Sequence, residues 1–100
     1  MGSGNDELGM ILITNYLKLI NEDNETPKFI VLYNSGVQLV CAGSPVIDLL
    51  KSIESKEVKI IACTTCLKYF NLMDSLKVGV AGTMMDILEL QKMAGKIVTI

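Results

Sequence analysis

The chain is expected to form an α/β layer fold around a mostly parallel sheet, and three observations carry that expectation. Residues 28–33 and 58–62 are apolar runs without alternation, the pattern of strands buried on both faces. Each run meets a turn or cap signal, Asn34-Ser35-Gly36 after the first and Thr64 or Thr65 after the second, and a helical pattern follows. Half of the 100 residues are hydrophobic and a fifth are charged, enough apolar material for a single domain, residues 1–100, with a real core.

Along the chain, Leu8, Ile11, Leu12, Tyr16, Leu17 and Ile20 recur at helical spacing from Asp6 or Glu7 to Asn21, and the two acids suit the positive end of a helix. Ile13 and Leu19 widen the apolar surface, so this helix is buried on two sides or lies at an interface. The β-branched residues between 10 and 14 supply the rival pattern, a strand. After the polar segment 22–27 comes the first buried strand. Residues 37–42 then read as a short helix closed by Gly43, and Ser44-Pro45 as the cap and first-turn proline of another, with Val46, Leu49, Leu50 and Ile53 as its buried stripe. The second strand at 58–62 feeds a helix beginning at Cys66, and residues 76–80 read as a short third strand. Thr83 with Asp86 resembles a capping box, Ile87, Leu88, Leu90 and Met93 give that helix its apolar side, and Gly95 ends it. Residues 96–100 form a final strand, and the alternation of β and α elements favours a parallel sheet.

Composition removes several function classes. The nine basic residues are all lysine, scattered singly, and there is neither arginine nor histidine. Without a bidentate reader of guanine or phosphate and without a basic cluster, nucleic acid is not an expected partner. The early apolar stretch 10–13 is too short for a membrane span and lacks a basic leader, so no membrane partner is expected either. Three cysteines, an odd number, fit a reducing cytoplasm better than a disulfide framework. The high apolar fraction in so small a domain implies surface covered by a second copy, hence a homo-oligomer.

Chemistry is expected at Cys63 and Cys66, which sit where a strand end feeds a helix start. Helix N–H groups there favour a thiolate, and open parallel sheets place their sites at that edge. A structural zinc needs four ligands, and only Cys41 and a carboxylate could complete the set, so no metal and no cofactor is expected. A disulfide oxidoreductase uses the same Cys-x-x-Cys spacing. A persulfide carrier needs only one accessible thiolate with N–H donors nearby, and plain packing of two small buried thiols is the bland alternative. Cys41 belongs with Val37 and Val40 on an apolar face and reads as core; Met84, Met85 and Met93 read as core filler or subunit interface. Asn34, Ser35 and Gly36 end one strand as Cys63 ends the next, so their backbone amides and a hydroxyl could line the thiol pocket. With no histidine or arginine, a serine or cysteine hydrolase lacks its base and clamp.

Read together, the glycine-rich start through Gly9, Tyr33-Asn34-Ser35-Gly36-Val37, Gly43-Ser44-Pro45-Val46 and Cys63-Thr64-Thr65-Cys66-Leu67 resemble the C-terminal DsrE-like domain of the YedF proteins. The motifs span most of the chain in order, and the combination is more specific than any one of them. The resemblance implies a three-layer, flavodoxin- or Rossmann-like sandwich, oligomeric assembly, and sulfur relay through a cysteine after a central strand, with an association to selenium metabolism. It assigns Cys63 to that strand-end position and Cys66 to the second cysteine of the YedF branch. Asn5, Asn34, Ser35, Gly36, Thr64 and Thr65 would shape the pocket. Thr64 replaces the glycine usual after the first cysteine. The TusA-like domain of YedF proteins is absent, and the family's first strand would precede Met1.

The leading expectation is therefore a sulfur or selenium relay protein, a sulfurtransferase-like carrier in which Cys63 accepts and Cys66 assists, resolves or releases, exchanging with a donor or acceptor protein. An oligomeric partner-binding module with incidental thiols and a dithiol-disulfide oxidoreductase are the alternatives.

Overall fold

A computed structural model describes residues 6–23, 27–93 and 97–100. It contains α1 (Asp6–Glu22), β1 (Phe29–Leu32), a 3-10 segment (Asn34–Val40), α2 (Ile47–Glu54), β2 (Lys59–Cys63), α3 (Thr64–Tyr69), β3 (Val80–Gly82), α4 (Met84–Met93) and β4 (Ile97–Thr99). All strand pairs are parallel, in the order β3-β2-β1-β4. The α/β expectation with a parallel sheet holds. From β1 the chain steps outward through β2 to β3, then returns to the far side of β1, so the order reverses beside β1. Right-handed crossovers then place α2 and α3 on one face and α4 on the other.

The strands are buried because their residues are apolar in succession. Ile30, Val31 and Leu32 of β1 and Ile60, Ile61, Ala62 and Cys63 of β2 are almost wholly enclosed. α1 lays Ile13, Leu17 and Ile20 into the same core, and packs on α2, where the Ser52 hydroxyl donates to Asn21 Oδ1 at 3.0 Å. The rival strand at 10–14 does not form. Its β-branched residues sit inside a helix whose spacing satisfies two faces, and the buried positions follow the helical period.

Three boundaries differ from expectation. The segment after β1 is a 3-10 helix that starts at Asn34, so the turn residues are its first turn. Ser44-Pro45 does not open α2: the Ser44 hydroxyl accepts from Val46 N–H at 3.2 Å, closing a local turn, and the helix begins at Ile47 with no side-chain cap. The third strand lies at 80–82, not 76–80. Leu76 makes only an isolated antiparallel bridge to Cys41, and Gly79 breaks the extended chain at φ +75. A Cβ at that position would stand 2.6 Å from the Ile60 carbonyl oxygen, so only glycine fits. By contrast, the capping box is present: Thr83 N–H donates to Asp86 Oδ2 at 3.1 Å and Asp86 N–H to Thr83 Oγ1 at 3.2 Å. The end of α4 at Gly95 falls outside the described residues.

Candidate functional site

The site lies where β1 and β2 end. One step beyond the register pair Leu32–Ala62, Tyr33 and Cys63 are both extended and stand side by side on one face of the sheet. After Tyr33 the chain turns sharply at Asn34, which takes a left-handed φ of +49 that asparagine tolerates better than other side-chain-bearing residues. Gly36 then passes the β4 side so closely that a Cβ would stand 2.9 Å from the Ile100 carbonyl oxygen. Ile100 is tied in turn to the first strand, accepting from Tyr33 N–H at 3.0 Å and donating to the Val31 carbonyl at 2.8 Å. That turn points the Asn34 N–H at Cys66, and it donates to the Cys66 sulfur at 3.2 Å.

Cys63 is itself the residue that caps α3, so Thr64 and Thr65 are helix residues and not the caps expected of them; no side-chain cap bond forms. Cys63 and Cys66 thus hold the cap and the third helical position, one turn apart at the start of α3. The Cys63 thiol is near enough to Cys66 to act on its titration. Cys63 is enclosed, at 2% exposure, and Cys66 is half-buried. Burial pushes the Cys66 thiol up from its ordinary range; the Asn34 N–H acts in the opposite direction, and the neighbouring Cys63 thiol adds to the rise. The benefit expected for Cys66 from the start of the helix is therefore outweighed. α3 is a short helix, and removing the thiol from water costs its charged form more than the local N–H groups return.

The described residues shape an open cleft of about 1520 Å³ over the two thiols. Asn34, Ser35, Gly36 and Thr65 line it with Cys63 and Cys66. Thr64 does not line it, and Asn5 lies outside the described residues. The sequence reading missed Tyr33, whose hydroxyl is held up from its ordinary range by burial first and then by the two thiols, so it remains a donor beside the sulfurs. The same strand-end logic that selected Asn34 would have found it. It also missed Met10 and Ile13 of α1 and Phe70 and Leu72 after α3, for which no local pattern exists. Cys41 is core, as expected, its thiol donating to the Val37 carbonyl at 3.2 Å. Met84 and Met85 are exposed, not core, and Met84 reaches the cleft. Among the described residues no group of three His, Cys, Asp or Glu is placed to hold a metal ion, and no helix is long and apolar enough to cross a membrane.

A parallel α/β sheet with neighbouring thiols at the carboxyl ends of its central strands describes a thiol-bearing α/β domain. The model of the DsrE/DsrF-like family matches residues 8–100, and the chain belongs to that family, which is associated with sulfur relay. No curated protein matches the chain.

Proposed function

We propose that the chain carries sulfane sulfur as a cysteine persulfide, within the YedF-like branch of the family, with selenium as the alternative cargo. The observation that supports this best is the Asn34 N–H donated to the half-buried Cys66 sulfur, with Cys63 immediately behind it. Attack on an S–S bond needs a path to the sulfur, and burial favours Cys66 over Cys63 as the thiol an incoming donor reaches. On this reading Cys66 receives sulfur, Cys63 resolves or releases it, and Asn34, Ser35, Gly36 and Thr65 frame the cleft. Tyr33 offers a further hydrogen to the loaded sulfur.

The placement of Cys63 and Cys66 one turn apart at the start of α3 favours a second reading, a dithiol-disulfide exchange site. One experiment separates them. Exposing the protein to a cysteine desulfurase and free cysteine, then weighing it intact, is expected to show one added sulfur that Cys66→Ser abolishes and Cys63→Ser retains. Loss of two hydrogens in the parent together with no sulfur gained by Cys63→Ser, which cannot close the disulfide, would instead identify dithiol-disulfide exchange and sink the carrier reading. We also propose self-association, taking up the apolar α1 residues left at the surface, and exchange with a donor or acceptor protein.

A further inference from the structure

We infer that the thiol cleft takes its sulfur from uncharged, apolar persulfides, R–S–SH, and not from anionic donors such as thiosulfate. The inference rests on the relay reading of Cys66 and concerns only what donates to it. Among the described residues that line the cleft, none has a charged side chain. Ile13, Leu39, Phe70 and Leu72 supply apolar wall, and the polar groups, including Gln38 and Thr65, are neutral. The chain also contains no arginine, so it has no planar fork for an oxyanion.

The charge balance of the two transfers decides the matter. Thiosulfate brings two negative charges beside a sulfur that must itself ionise, and it leaves as sulfite, another dianion. Placing such a group against apolar walls without a counter-charge is costly. A hydropersulfide carries at most one negative charge, and its protonated form, R–S–SH, which is the electrophile, enters neutral. Cys66 sulfur attacks the terminal sulfur, the S–S bond to that sulfur breaks, and R–S⁻ leaves, taking up the proton that Cys66 gave. The products are R–SH and Cys66–S–SH, with the sulfane sulfur moved and no external oxidant or reductant consumed. Burial, which holds the Cys66 thiol protonated, keeps that proton at hand for the leaving group. At the cleft edge Met84 is 58% exposed and adjoins Met85 and Leu88, so the apolar lining continues onto the surface. R can therefore be a small organic group or an apolar stretch of a protein that bears the persulfide.

The test loads the full chain with benzyl persulfide, with thiosulfate, and with a cysteine desulfurase charged from free cysteine, followed by intact mass. Rates for the two small donors are divided by their rates with N-acetylcysteine amide, to remove intrinsic reactivity. Benzyl persulfide is expected to exceed thiosulfate by at least about tenfold after that correction. Comparison of benzyl persulfide with the desulfurase tells a small-molecule source from a protein one. Gln38→Arg, which places a cation on the cleft, is expected to raise thiosulfate loading several-fold relative to that of benzyl persulfide. Equal corrected rates, or a thiosulfate rate indifferent to Gln38→Arg, would overturn the inference while leaving the relay reading intact. No loading from any of the three donors would overturn both.

Discussion

At Cys66 one proton is pulled in two directions. Burial and the neighbouring Cys63 keep it on the sulfur, and the Asn34 N–H favours its loss. The upward pull is stronger, so reaction of Cys66 with iodoacetamide, followed by peptide mapping, is expected to rise with pH around a midpoint above the ordinary thiol value of 9.0. Replacing Cys63 by alanine removes two of the upward influences, and the midpoint is expected to move down. A midpoint that stays put in Cys63→Ala would show that the thiols do not interact. The linkage has a definite sign: a thiol held protonated by the fold contributes stability fully below its unfolded pKa, and that contribution fades as pH climbs past it. Alkaline conditions, not acidic ones, therefore weaken this part of the structure.

Among the elements, β3 pairs with β2 and is led in by one tightly fitted backbone position. Gly79 combines φ +75 with an approach of 2.6 Å between a would-be Cβ and the Ile60 carbonyl oxygen, while its N–H donates to Glu54 Oε2 at 3.0 Å. Gly79→Ala is expected to cost about 1–3 kcal/mol, read as a lower urea midpoint at unchanged slope. A variant as stable as the parent would mean that β3 shifts at no cost. The same glycine explains why this strand was misplaced in the sequence reading: residues 76–80 have strand-like side chains, but a left-handed residue in the middle cannot be inferred from them. Strands β1 and β2 were legible because burial on both faces leaves an unbroken apolar run, and the capping box at Thr83 was legible because its two partners lie three residues apart. Cys63, Cys66 and Asn34 were found for the same reason, all being local to strand ends. The α1 wall of the cleft was not, since Met10 and Ile13 reach it only through tertiary packing that no nearby residue encodes.

On the scale of the whole molecule, α1 turns Ile13, Leu17 and Ile20 inward yet leaves Ile11, Leu12 and Leu19 about half exposed or more. Ile11 and Leu12 share one side of the helix with Leu19, a stripe that a second copy presents identically, as a two-fold contact requires. The double variant Leu12→Lys with Leu19→Lys is expected to sediment as a monomer while keeping its helical circular dichroism, against a heavier parent. A parent that already sediments as a monomer would refute self-association through α1. At the other end of the chain, Ile100 is bonded on both sides to β1 and lines the cleft. Any residues fused after it start their path at the mouth of the thiol site. A purification tag attached there would compete with donors for the opening, and a fluorophore attached there would sit close enough to report the arrival of sulfur on Cys66.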